Sequence, residues 1–346
     1  MTRWAVVLAG GVGSRFWPVS TPERPKQLLP LVTDKPLLHD AVQRLATIVD
    51  PDHTLILTNS SLTKPIRKLL GNVPRENIIA EPSPAGTAAA LTWAALQIEK
   101  RESAEATMIC VHADWAIGND ARFREALLRA EEVAIATHSL VTVGVVPTRA
   151  DPGFGYIQPS DTDSEEPSRV KRFVEKPDRA RAEEMRNNGY LWNSGIFVWR
   201  VGDFLQEVGK HTPELAAALR HGRGSDSAKF FGSVVMPVSV DVGVLERSDK
   251  VMVVPGEFGW DDIGTWAALA RVRSQDEFGN VTSGDVHLLD CADNVVHAEK
   301  GLVVMYGVND LVVVMQNGLT LVTTTERASD LKRLVESLSA NSAGTT

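Results

Sequence analysis

Cysteine is nearly absent: only Cys110 and Cys291 occur among 346 residues. Two cysteines so far apart give neither a disulfide framework nor the paired spacing of a zinc site. They read as buried apolar fillers of a chain that works in a reducing compartment, the cytoplasm. Long apolar runs are missing too. Nowhere do ~18 apolar residues follow one another, so no membrane span is expected. The opening MTRWAVVLAGG has too short an apolar run for a signal peptide and no small-x-small cleavage site. Positive charge is in deficit: 36 Lys and Arg stand against 44 Asp and Glu, a formal charge of −8. Such a chain lacks the basic stripe that nucleic acid or an anionic membrane would attract, so neither is expected as a partner. Phosphorylated small molecules stay open, because a pocket can be basic inside an acidic protein.

What is present is an ordinary globular mixture, 43% apolar and 23% charged, long enough for about two domains. Short apolar runs at 4–9, 55–57, 78–80, 107–111 and 141–146 have the pattern of strands buried on both faces. Between them lie helical patterns at 37–48, 87–98 and 120–137. This alternation predicts an α/β fold with a Rossmann-like, mixed but mostly parallel sheet flanked by helices. Further strands are expected at 173–175, 195–199 and 251–254, with helices at 179–186, 201–206 and 213–219. The acidic stretch 160–167 reads as a solvated loop. Composition changes near 274–280. Beyond it, short apolar segments alternate with the turn pairs Asp293-Asn294, Asn309-Asp310 and Asn317-Gly318. Thr323-x-x-Glu326 then fits a capping box ahead of a last helix striped by Ala328, Leu331, Leu334, Val335 and Leu338. The expected division is a domain over 1–278 and a small all-β tail ending in a helix over 279–340.

Directly after the first strand stands Gly10-Gly11-Val12-Gly13-Ser14-Arg15. It fits neither the dinucleotide fingerprint, which would need glycine at Phe16, nor the P-loop, which needs Gly-Lys-Ser/Thr. Its glycines nevertheless allow backbone N–H groups to approach phosphate oxygens. Arg15, and Lys26 in Pro25-Lys26-Gln27, add two cations. Glycines alone describe a tight turn; with these cations the segment reads as a phosphate loop.

Leu8-Ala9-Gly10-Gly11-Val12-Gly13-Ser14-Arg15-Phe16-Trp17-Pro18 with Pro25-Lys26-Gln27 resembles the signature of sugar-1-phosphate nucleotidylyltransferases. Phe173-Val174-Glu175-Lys176-Pro177, Trp192-Asn193-Ser194-Gly195 and Gly259-Trp260-Asp261-Asp262-Ile263-Gly264 follow in order. The last two are similar to the mannose-1-phosphate guanylyltransferase branch, as is the tail around 307–314. The resemblance implies a nucleotide-diphospho-sugar transferase fold with a short β-helix-like tail, a possible oligomer module. It implies GTP and α-D-mannose 1-phosphate as substrates, GDP-mannose and pyrophosphate as products, and Mg2+ as cofactor.

The same resemblance distributes roles. Arg15 and Lys26 are the catalytic cations. Leu8, Ala9, Gly10, Gly11, Gly13, Ser14, Glu81, Gly86 and Thr87 bind the nucleotide. Gly155, Glu175, Lys176 and Asn193 bind the sugar phosphate, and Asp114 and Asp262 bind the metal, with Asp261 a neighbour that the motif register sets aside. The chemistry is consistent with these types. Two anions must meet, so catalysis is positioning plus neutralisation, and no nucleophilic side chain is needed. One cation at ~4 Å contributes about 4 kcal/mol at an effective dielectric of ~20. Glu81 offers two acceptors to the N1–H and N2–H2 donors of guanine.

Two departures from the family pattern stand out. The metal loop reads His112-Ala113-Asp114-Trp115 rather than Pro-x-Asp-His, with His112 expected to pack. The base loop reads Ala85-Gly86-Thr87-Ala88, closer to the Pro-Asp-Gly loop of thymidylyltransferases. The alternatives are the same chemistry on another nucleotide and hexose 1-phosphate, such as dTTP with glucose 1-phosphate, and a non-catalytic sugar-nucleotide sensor.

Overall fold

Runs of valine, isoleucine and leucine too short for a stable helix make the centre of a large sheet. The structure is a computed structural model, and it describes residues 1–11, 14–162, 166–222 and 226–343. Its contacts divide the chain into two compact units, one of Met1–Gly10, Ala41–Ala113 and Asn119–Trp260, the other of Gly11–Asp40, Asp114–Gly118 and Asp261–Thr346.

The first unit holds strands β1 (Arg3–Leu8), β2 (Thr54–Asn59), β3 (Ile78–Glu81), β4 (Thr107–His112), β5 (Leu140–Val145), β6 (Tyr156–Pro159), β7 (Ser168–Val174), β8 (Leu191–Arg200) and β9 (Val251–Gly256). They form one sheet in the order β3-β2-β1-β4-β8-β5-β9-β7-β6. β1, β2, β3 and β4 pair in parallel, as do β5 and β9. β8 runs antiparallel to β4 and β5, and β7 antiparallel to β9 and β6. All strands but β7 and β8 therefore point one way, the mixed, mostly parallel sheet that the alternation of strands and helices predicts.

Helices α1 (Gly86–Arg101), α2 (Asp120–Thr137) and α3 (Val201–His211) belong to this unit. α1 is buried along almost its whole length, from Ala88 to Ile98. Its alanines pass between larger groups, and Trp93 supplies bulk against Phe230 and Phe231. Cys110 is fully buried in the same core, which also holds Trp199 and Phe204 stacked at 4.4 Å. The short strand β6 has no counterpart among the expected strands.

The second unit carries β10 (Val281–Leu289), β11 (Val295–Tyr306), β12 (Leu311–Gln316) and β13 (Leu319–Thr324), then α4 (Leu331–Ala343). β10, β11 and β12 stack in parallel, and β13 returns antiparallel. Asp293, Asp310 and Asn317 turn the chain with positive φ, at the pairs the sequence marks as turns. β10 escapes a sequence reading because Thr282, Ser283, Gly284 and Asp285 interrupt its apolar residues. Thr324 rather than Thr323 caps the last turn, its Oγ1 accepting from Arg327 N at 3.3 Å. Phe16 and Trp266 pack with Val281, Val295, Val312 and Leu331 in this unit's core.

Candidate active site

In the second unit, four of the expected residues come together around Lys26. A short 3-10 turn, Lys26–Leu28, draws the lysine inward until it is 6% exposed. Its ammonium lies 3.2 Å from Asp114 Oδ2 and donates to the carbonyl oxygen of Asp262 at 2.5 Å. A buried ammonium needs such partners, since it is desolvated otherwise at large cost. Arg15 is exposed. A Cβ on Gly264 would sit 3.3 Å from Arg15 Nη1 and 3.0 Å from Asp262 Oδ2, so the glycine leaves room between cation and carboxylate.

The adjacent aspartates divide their work. Asp261 is buried, takes Arg271 on both oxygens at 2.7 and 2.9 Å, and accepts from Ile263 N at 2.9 Å. Among the described residues Asp262 has a single backbone donor, Gly264 N at 3.2 Å. The residue after them, Ile263, is held at φ +44, a region that β-branched residues avoid. Burial pushes the Asp262 carboxyl upward against the opposing pull of Lys26.

Among the described residues no cluster of three or more His, Cys, Asp or Glu side chains could enclose a metal ion. Asp114 and Asp262 are instead a pair of hard oxygen donors. That donor set fits magnesium, which binds through one or two carboxylates and keeps water and phosphate oxygens as its other ligands.

In the first unit, the residues expected to bind the nucleotide cluster at the carboxyl ends of parallel strands, where this class of sheet binds ligands. Leu8 ends β1, and Ala9 continues its ladder by donating to Leu57 O at 2.8 Å. Glu81 ends β3, and its Oε1 lies 4.0 Å from where a Cβ on Gly10 would be. Among the described residues its carboxylate has no hydrogen-bond partner, and burial raises its pKa to about 7. Gly86 opens α1 at φ +83, where a Cβ would fall 2.3 Å from Val238 O. Thr87 Oγ1 accepts from Val240 N at 2.9 Å.

The sugar-side residues meet in the same unit. Asn193 N donates to Gly155 O at 2.8 Å, and a Cβ on Gly155 would come within 2.9 Å of Glu175 Oε2. Lys176 is exposed and pairs with Glu175 at 3.1 Å. Asp241 joins them, accepting from Asn193 Nδ2 at 2.7 Å. Burial raises the Asp241 carboxyl, and the Asn193 hydrogen bond opposes the rise. No sequence motif marks Asp241; a lone carboxylate in the apolar run 240–245 is the one available sign. In the second unit, Gly11 O accepts from Gln27 Nε2 at 2.8 Å. Ser14 starts a 3-10 turn, while its side chain and Gly13 lie outside the described residues.

Residues 4–278 match the nucleotidyl transferase family. The chain belongs to that family. Residues 284–338 match the mannose-phosphate isomerase/GMP-like β-helix domain, which identifies the tail of this nucleotidyl transferase as β-helix-like. A mannose-1-phosphate guanylyltransferase of Klebsiella pneumoniae is 36% identical over 97% of the chain and 74% of the relative. The alginate biosynthesis protein AlgA of Pseudomonas aeruginosa is 33% identical over 97% of the chain and 72% of its own length. A solved structure from Thermus thermophilus, described as a mannose-1-phosphate geranyltransferase, matches with a TM-score of 0.91 at 33% identity. It covers 98% of this chain and 100% of that one.

Proposed function

We propose that this nucleotidyl transferase moves GMP from GTP to α-D-mannose 1-phosphate, giving GDP-mannose and pyrophosphate. The observation that carries the reading is Lys26, buried between Asp114 and the Asp262 backbone. Its setting suits a triphosphate, and relatives named for this reaction match nearly the whole chain.

An oxygen of the sugar phosphate attacks the α-phosphorus in line with the departing pyrophosphate. Arg15 and Lys26 neutralise the triphosphate, and the backbone N–H groups of the glycine loop are its further donors. Glu81, ionised, accepts the two guanine donors, with Gly86 and Thr87 shaping the loop beside it. Gly155, Glu175 and Asn193 hold the sugar, and Lys176 turns from Glu175 to the sugar phosphate. Asp114 and Asp262 hold Mg2+, which when bound supplies further positive charge to the phosphates. None of these steps needs a covalent intermediate on the protein.

Two further readings accompany this one. The nucleotidyl transfer is assigned to the segment 1–278, and the tail at 279–340 to self-association. On β11, Leu302, Val304 and Tyr306 share one face and are 55%, 61% and 69% exposed, an apolar row that a second copy would cover. Two buried free cysteines suit the cytoplasm, and no helix among the described residues is long and apolar enough to cross a membrane.

Incubation with GTP, mannose 1-phosphate and magnesium tests the function. GDP-mannose and pyrophosphate in equal amounts are expected. Preference for dTTP with glucose 1-phosphate would transfer the reading to the thymidylyltransferases, and binding without turnover would make the chain a sensor.

A further inference from the structure

Asn193 owes its direction to a bulge. The pairing of β8 with β5 shifts register between Val143 and Gly144, and Gly195 takes φ +72. Ser194 Oγ fills the gap, donating to Val143 O at 2.5 Å and accepting from Ile196 N at 3.1 Å. Bulges of this kind re-aim a side chain, often beside a functional site. The Asn193 amide still has two ways to face, because its oxygen and nitrogen are nearly equal in size.

Asp241 removes that freedom. A carboxylate only accepts, so the group 2.7 Å from Asp241 Oδ1 must be Nδ2. The amide oxygen then faces Gly195 N, 3.4 Å away. One Nδ2–H and a lone pair of Oδ1 are left over. That donor–acceptor pair matches two neighbouring ring hydroxyls, one accepting and one donating.

Asp241 is itself held firmly. It opens a π-helical turn, Asp241–Leu245, a rare geometry that occurs mostly at functional sites. The residues before it are tied to the base loop: Ala88 N donates to Val238 O at 3.2 Å, and Val240 N to Thr87 Oγ1 at 2.9 Å.

We propose that Asp241 is a positioning residue for the sugar, locking the Asn193 amide in the single orientation that reads a pair of hexose hydroxyls. The proposal rests on the assignment of Gly155, Glu175 and Asn193 to the sugar phosphate.

Initial rates of wild type, Asp241→Asn, Asn193→Ala and the double variant test it. Asp241→Asn, whose amide can pair with either face of Asn193 and so frees its orientation, is expected to raise KM for mannose 1-phosphate by up to about tenfold, the value of one lost sugar hydrogen bond. KM for GTP should change less than twofold. Because Asp241 acts through Asn193, the double variant should be no worse than Asn193→Ala alone. Equal changes in both KM values, an unchanged sugar KM, or multiplied losses in the double variant would overturn the proposal. If Asp241→Asn does not fold, the exchange Asn193→Asp with Asp241→Asn keeps the hydrogen bond but reverses its polarity. Restored folding with a sugar KM still raised is expected; a wild-type KM would refute the orientation argument. Wild-type protein separates the two levels: no turnover of mannose 1-phosphate refutes the substrate assignment, whereas normal turnover with an indifferent Asp241 refutes the positioning role alone.

Discussion

Glu81 places a carboxylate where water is scarce, and burial raises its pKa to about 7; among the described residues no donor meets it. In the proposed role of Glu81, the two donors of guanine require the ionised form, which would couple GTP binding to pH. Below pH 7 the apparent KM for GTP should rise, approaching tenfold per pH unit, and Glu81→Gln should flatten the profile while weakening GTP use at pH 8. Stability follows the same proton with a defined sign. The folded pKa lies above the ordinary 4.5, so the folded state binds the extra proton. That stabilisation is complete below about pH 4.5 and disappears as pH rises through 7, by at most about 3 kcal/mol before solvent screening. Chemical denaturation of wild type and Glu81→Gln at pH 5 and pH 8 would measure it. Lys26 is the cation proposed to neutralise the triphosphate. Lys26→Ala should lower kcat by about 10²–10³, the usual loss when a preorganised charge is removed from a developing anion. Steady-state assays at saturating GTP would read that loss.

Among the elements, the stacked strands β10–β13 depend on a buried asparagine ladder. Asn294 is fully buried; its Nδ2 donates to Asn280 Oδ1 at 2.9 Å and Val308 O at 3.0 Å, and its Oδ1 accepts from Leu311 N at 2.9 Å. Asn294→Ala removes three hydrogen bonds and leaves Val308 O and Leu311 N without this partner, while Asn280 Oδ1 keeps the backbone N–H of residue 294; it should destabilise the protein by about 2–4 kcal/mol, measurable by urea unfolding. The ladder shows why sequence reading reached some features and missed others. β1, β2 and β4 are legible because both their faces are apolar, and the turns at Asp293, Asp310 and Asn317 because positive φ selects those residues. Asn294 looks like one more turn residue, although it is the most buried polar group of the tail. Glu81, Lys26 and Asp262 are visible because motifs surround them. Asp241 is not, because its partnership with Asn193 spans 48 residues of sequence and exists only once β8 bulges toward it.

The whole molecule carries a net charge of −8, yet its proposed substrates are anions. Attraction must therefore be local, concentrated at Arg15, Lys26 and a bound divalent ion rather than spread over the surface. Mass is expected to exceed that of one chain in solution, and Val304→Arg on the exposed face of β11 should return it to the monomer value in sedimentation or light scattering. The central claim is that Arg15, Lys26, Asp114 and Asp262 jointly receive a metal-bound triphosphate. A crystal structure with GTP and magnesium tests this most directly. The account predicts phosphate oxygens in contact with Arg15 and Lys26, and the ion on Asp114 and Asp262. A triphosphate seated away from these four residues would contradict it.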